Sequence, residues 1–358
     1  MKIGVYALCK NEEKHVFDWS DSTDGADVVV VTDTGSTDTT VQRLKAAGVT
    51  VATGYVCPWR WDDAHNLSLN HLPPDVDVCV RLDLDERLQP GWREAIERAW
   101  ADGVNNLRYR YVWSWEADGR PGLVFLSDRV HARRGFRWSA ATHEGLVCWS
   151  GERVMAVADG LEIHHHRDAG KKHVTDLALL RVAVREAPHD ARARWYLARE
   201  LDYASMHAEA VEEFRAYLEM PGGSATERSY ARRQLCRLTH DEREMHQAAK
   251  EAPGEPDAWE RLAWINYARK QWREVLAFAS MALNAEDAPS HCNDPKALAK
   301  AYDLAAVASW ELGARPQALT LAREAVARCP DDPRLTANVE AMARILETAN
   351  GILPATNC

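Results

Sequence analysis

The feature that most constrains this chain is a change of texture near residue 170. Up to about Arg167, short β-branched runs alternate with turn signals and helical stretches. Strands are predicted at Ile3 to Leu8, Val28 to Val31 and Val76 to Leu82, with helices over 12–20, 38–47, 63–72 and 91–101. Four consecutive valines bounded by Asp27 and Asp33 suit a strand buried on both faces, as in a parallel sheet covered by helices. Such a sheet binds ligands beyond the carboxyl ends of its strands.

From about Val174 the β signal ends, and Ala, Leu, Arg and Glu dominate at helical spacing. Prolines at 188, 221, 253, 289 and 330 recur at intervals of about 32 to 41 residues, the period of helix–turn–helix solenoids. Three stretches align: Leu197-Ala198 with Ala210 and Phe214; Leu262-Ala263 with Val275, Ala279 and Ala282; Ala305-Ala306 with Ala318, Ala322 and Ala325. Small residues at these offsets let paired antiparallel helices approach closely. This pattern resembles the tetratricopeptide repeat, with a degenerate unit over 225–252, a long loop over 284–295 and a capping helix over 334–348. An irregular helical bundle is the alternative. The expected organisation is therefore an α/β domain over 1–167 and an all-α helical-repeat domain over 174–350.

Composition narrows the function classes. With 44 Lys+Arg against 54 Asp+Glu the net charge is −10, which argues against a broad grip on nucleic acid or anionic membrane. Eight cysteines stand singly, as in a reducing cytoplasm, and the short apolar start before Lys10 is not an export signal. No uncharged apolar run approaches the ~20 residues of a membrane span. A cytoplasmic location is expected.

The strongest chemical signal is Arg81-Leu82-Asp83-Leu84-Asp85-Glu86 at the end of an apolar strand. Period-two alternation is expected to place Asp83 and Asp85 on one side, where a divalent cation bridging substrate phosphates would relieve their repulsion. A helix-capping turn is the plain alternative. Upstream, Val31-Thr32-Asp33-Thr34-Gly35-Ser36 ends a strand in a polar turn, with Thr37 or Asp38 as helix N-cap. In His164-His165-His166, neighbours on a strand face opposite ways, so two at most serve one ion. His164, or His166 on the same face, is favoured as a metal ligand, and His165 is expected on the solvent or acceptor side.

Three motifs in order, "ALCKNEE", "VVVVTDTGSTDTT" and "RLDLDE", resemble the family-two nucleotide-sugar glycosyltransferases, which have the GT-A (Rossmann-like) fold. The resemblance extends through "CPWRWDDAHNLSLNHL" and "RGFRWSAATHEGL" to "LEIHHH", roughly the first 167 residues. It implies that Asp33 bonds the nucleobase, with Leu8, Cys9, Asn11 and Glu13 flanking it and Asn66 also at the donor. It implies that Asp83 contacts ribose or metal, that Asp85 binds Mn2+ or Mg2+, and that His164 completes the metal site. Glu144 falls where the family places its catalytic base, with His143 as understudy. The chain departs from the pattern at His65, where relatives carry Arg, at Asp63, where they carry Phe, and at Thr39, where they carry Gly.

Trp59, Trp61, Trp113, Trp115, Trp138 and Trp149 lie near the motifs, and some are expected to stack on a sugar or base. Arg129, Arg133, Arg134 and Arg137 form a basic cluster able to meet a diphosphate or a phosphorylated acceptor, unless it is a solvated loop. The resulting expectation is a metal-dependent, inverting transferase moving sugar from a nucleotide sugar, by family habit a UDP-sugar, to a protein, peptide or glycan, with the repeats holding the acceptor, a partner protein or a second subunit. A modified DNA base as acceptor, and an interaction protein with an inactive transferase-like domain, are the alternatives.

Overall fold

The computed structural model describes residues 1–116, 118–167, 176–285 and 292–349. The limits predicted at 174 and 350, and residues 286–291 of the predicted long loop, lie outside these. The chain divides into two compact units, Met1–Pro188 and His189–Cys358.

The first unit is built from β1 (Ile3–Cys9), α1 (Val16–Ser22), β2 (Val28–Asp33), α2 (Thr40–Ala46), β3 (Thr50–Thr53), α3 (Trp61–Asn70), β4 (Val78–Arg81), β5 (Glu86–Leu88), α4 (Trp92–Ala99), β6 (Asn106–Val112), β7 (Val124–Ala132), β8 (Phe136–Ser139), β9 (Gly145–Cys148), β10 (Met155–His165) and α5 (Leu177–Glu186). Eight strands form one sheet in the order β3-β2-β1-β4-β7-β6-β10-β5, and β8 pairs with β9 in a ribbon.

β1 lies between β2 and β4, parallel to both, and is buried throughout except at the half-buried Leu8. A strand covered on both faces needs the continuous apolar run its sequence supplies. The sheet is mixed rather than wholly parallel: β7 pairs antiparallel to both β4 and β6. Among the described residues no helix intervenes between β6 and β7, and only a crossover would have kept the direction. β6 therefore runs with β4, and β10, parallel to β6, ends at the same edge as β1, β2 and β4. That edge collects Cys9, Asp33, Arg81 and His165. This is the GT-A-like α/β arrangement expected from the sequence.

The ribbon is tied to the sheet through a buried polar chain. Trp138 Nε1 donates to the Tyr6 hydroxyl (2.8 Å), which lies 2.9 Å from His131 Nε2, while His131 Nδ1 lies 2.9 Å from the Ala132 carbonyl. The carbonyl accepts only, so Nδ1 carries the proton and Nε2 accepts from Tyr6.

The second unit contains α6 (Ala191–Tyr203), α7 (His207–Glu219), α8 (Ala225–Thr239), α9 (Glu242–Glu251), α10 (Pro256–Ala268), α11 (Trp272–Leu283), α12 (Ala297–Glu311), α13 (Arg315–Arg328) and α14 (Pro333–Ala349). All the small and apolar residues aligned in the sequence, from Leu197 to Ala325, are buried. The degenerate unit is the pair α8–α9, and α14 covers Ala318 and Ala322 with Val339 and Met342. Ion pairs from buried aspartates join the helices: Asp202 with Arg237, Asp257 with Arg233, and Asp303 with Arg334. This is a TPR-like helical region. Among the described residues, no helix is long and apolar enough to cross a membrane.

Burial pushes the His131 imidazole down to about 4. The folded state therefore binds fewer protons than the unfolded state between pH ~4 and ~6.5, so stability from this group is complete above 6.5 and is lost as pH falls through 4. We expect a loss of about 3 kcal/mol across that window, and in H131Q a correspondingly shallower fall of Tm with pH. Equal slopes in the two proteins would remove His131 as the source.

Candidate active site

The ends of β1 and β2 hold each other in place. Asp33 accepts from the backbone N–H groups of Gly35 (3.1 Å) and Ser36 (3.1 Å), and the Cys9 thiol donates to it at 3.5 Å. Burial favours the neutral acid, but these bonds outweigh it and hold the carboxyl below its ordinary range. Asn11, in the left-handed region at φ 58°, donates its N–H to Ser36 Oγ and accepts from Thr37 N at 2.8 Å. Glu13 accepts from the Thr39 N–H and hydroxyl just before α2. A carboxylate reaching across from another loop thus offsets the helix N-terminus. Neither Thr37 nor Asp38 is the N-cap residue; α2 starts at Thr40, whose N–H and hydroxyl donate to Asp38 Oδ1. Asn11, Glu13 and Asp33 consequently spend side-chain acceptors on the two loops, and Leu8 sits beside Thr32 in the ladder.

At the end of β4 the two aspartates part. The strand stops at Arg81, and residues 82–85 form a turn closed by Glu86 N to Asp83 O (2.9 Å) and Asp83 N to Glu86 Oε2 (2.9 Å). The expected period-two placement fails because these residues are not strand. Asp83 faces Arg81 (3.1 Å) and Arg129 (3.3 Å), and Arg129 also meets Glu86 (2.6 Å), to which the Tyr111 hydroxyl donates. Burial works against the Asp83 charge, but Arg81 and then Arg129 outweigh it and hold the carboxyl at about 2.

The other arm of Arg81 reaches Glu144 Oε1 at 3.2 Å, and its guanidinium stands 4.7 Å over the Trp138 ring. His65 Nε2 also lies 3.2 Å from Glu144 Oε1, without hydrogen-bond alignment. Five alternating charges therefore run Glu144, Arg81, Asp83, Arg129, Glu86. Arg129 belongs to this buried row and not to a solvated basic cluster, which breaks up further: Arg133 donates to the Leu72 carbonyl, and Arg134 and Arg137 are exposed. Asn66 uses both ends of its amide on the Trp138 backbone, at 2.9 Å each, and so positions β8. His143 precedes Glu144 in the left-handed region at φ 51°.

Asp85 faces β10. His165 Nε2 lies 3.5 Å from Asp85 Oδ2, and its Nδ1 lies 3.0 Å from the Trp113 carbonyl. Burial opposes charge on this ring, but Asp85 and the Trp113 carbonyl outweigh it and hold the imidazole above its ordinary value, so Nε2–H is directed at Asp85; a cation bound there would displace that proton while Nδ1–H stays on the carbonyl, an arrangement common in metal-ligating histidines. The Trp113 ring stacks on His165 at 4.5 Å and is 44% exposed. Within the triplet, the imidazole beside Asp85 is that of His165, where the sequence pointed to His164 or His166. His164 pairs with Glu162 and packs edge-on to Trp115, His166 has an exposed side chain near the same tryptophan and donates its backbone N–H to the Asp85 carbonyl (2.7 Å), and His165 brings its imidazole to the Asp85 carboxylate. Antiparallel pairing sets His165 opposite Glu86, and a bulge between Val157 and Glu162 fixes which histidine arrives there. Among the described residues no cluster of three or more His, Cys, Asp or Glu is arranged to hold a metal. One carboxylate and one imidazole still suit a cation such as Mg2+ or Mn2+ that completes its shell with phosphate oxygens and water.

Sequence reasoning missed Arg81, His65 and His165 as site residues. The signals were an arginine inside an apolar strand and a histidine where relatives carry arginine.

No family model and no curated protein matches the chain. Among solved structures it is similar to glucosyl-3-phosphoglycerate synthase from Mycobacterium tuberculosis in complex with Mn2+, uridine diphosphate and glucosyl-3-phosphoglycerate, at 26% identity over 31% of this chain and 44% of that one, with a TM-score of 0.27. The chain thus spans less than half the length of that synthase. It is also similar to YrrB, a TPR protein with an unusual peptide-binding site (17% identity, 46% of this chain and 81% of that one, TM-score 0.35), and to MamA (13%, 44% and 83%, TM-score 0.33).

Removing Arg129 leaves Glu86 buried without a counter-charge. Arg129→Ala should cost about 3–5 kcal/mol, which lowers the Tm of a unit this size on the order of 10 °C. A Tm within 2 °C of the unchanged protein, by about the same conversion, would show that the row contributes no stability.

Proposed function

We propose that the first unit is a divalent-cation-dependent glycosyltransferase that moves a sugar from a nucleotide donor to an acceptor nucleophile by inversion. The observation that carries this reading is the Asp85–His165 pair beside the exposed Trp113, at the edge where β1, β2, β4 and β10 end. Asp85 and His165 would hold the cation, which supplies charge neutralisation for a departing diphosphate. The ordered loops after β1 and β2 offer backbone groups to the nucleotide, and the Trp113 face suits stacking on a base or sugar.

Glu144 is assigned as the general base. Burial disfavours its charge, but His65 and Arg81 outweigh it and keep the carboxyl below its ordinary range, so it is ionised at neutral pH and ready to take the acceptor's proton. The nearest approach of both the imidazole and the guanidinium is to Oε1. The acceptor is proposed to be a protein, peptide or glycan. Uridine diphosphate, indicated by the motif resemblance, is the first nucleotide to test.

Thermal unfolding with uridine diphosphate at about 100 times its Kd should show stabilisation near 2.7 kcal/mol that requires Mn2+. Asp85→Ala and His165→Gln should each abolish the metal-dependent part. A panel of nucleoside diphosphates that leaves Tm unmoved with and without Mn2+ would overturn the transferase reading in favour of an interaction protein. Glu144→Gln should retain the nucleotide shift yet lower turnover by ~100-fold or more; near-normal turnover would exclude Glu144 as the base.

A further inference from the structure

Arg81 has a geometry that simple charge balance does not require. It rises from the end of β4, its guanidinium is buried over Trp138, and its two terminal nitrogens diverge, Nη1 to Glu144 at 3.2 Å and Nη2 to Asp83 at 3.1 Å. Its Nε is buried without a partner. A planar guanidinium held by an aromatic face has one way to satisfy two carboxylates on different loops, and a lysine in its place offers a single point charge.

We propose that Arg81 is a positioning residue that fixes Glu144 through its Oε1 and ties it to the turn carrying Asp83 and Asp85, so that the proton-accepting carboxylate and the donor-side turn are held by one rigid side chain. This rests on the assignment of Glu144 as base. The groups facing Glu144 are His65 from α3 and Arg81 from β4, with Asp83 beyond Arg81. His65 is buried, and burial holds it below its ordinary value, so at neutral pH it is uncharged and Arg81 supplies the positive charge beside Glu144.

The test has a readout independent of activity. In full-length protein carrying glutamate labelled with 13C at the side-chain carboxyl, the Glu144 signal, assigned by its absence in E144Q, is titrated by NMR in wild type and R81K. We expect wild-type Glu144 to titrate below the ordinary glutamate range and the R81K signal to titrate at least one pH unit higher. The acid limb of acceptor-free donor hydrolysis should move by the same amount. A Glu144 titration that is the same in R81K, or one already at the ordinary value in wild type, overturns the proposal; the second needs no Arg81 variant and so survives any folding defect. If wild type binds no nucleotide, the transferase reading fails while the NMR comparison still decides whether Arg81 governs Glu144.

Discussion

The row of alternating charges from Glu144 through Arg81, Asp83 and Arg129 to Glu86 is the constraint on which the first unit depends. Its members come from the residue before β9, the end of β4, the turn after it, β7 and β5, so every pair except Arg81–Asp83 bonds elements remote in sequence. Charges out of water are costly singly, and the alternation gives every carboxylate an arginine within about 3.3 Å. Two arginines among three carboxylates leave the row net negative, and Tyr111 donates a hydrogen bond to the terminal one. The consequence for chemistry is a division of labour: Asp83 is paired with arginines, and Asp85, two residues further along the turn, is the aspartate turned toward His165.

Around this row the unit uses polar side chains mainly to hold backbone. Asp33, Asn11 and Glu13 close the loops after β1 and β2; Asn66 clamps Trp138; Trp138, Tyr6 and His131 form a buried relay of donors and acceptors between ribbon and sheet. Rigid loops at strand ends lower the ordering cost of binding, which suits a site that grips a flexible diphosphate. The second unit follows another economy. Its interfaces rest on alanines that let helices approach, with arginines paired to buried aspartates joining one repeat to another.

The amino-acid sequence by itself determined the two-part architecture, because strand and helix periodicities are local and the alanine offsets of the repeats read out directly as buried positions. It also determined the strand ends that carry polar groups, since an apolar run followed by Asp or Asn marks where a buried strand leaves the core. Only the tertiary structure decided which of these groups meet. That β7 reverses the sheet's direction, that Asp83 turns to arginines and Asp85 away from them, and that His165 rather than His164 arrives opposite the turn all depend on register, where a shift of one residue exchanges the two faces of a strand. Arg81 and His65 were legible as unusual residues in their segments, yet their partner Glu144 lies more than 60 positions away. Contacts across such separations are fixed by strand pairing and packing, and no local pattern encodes them.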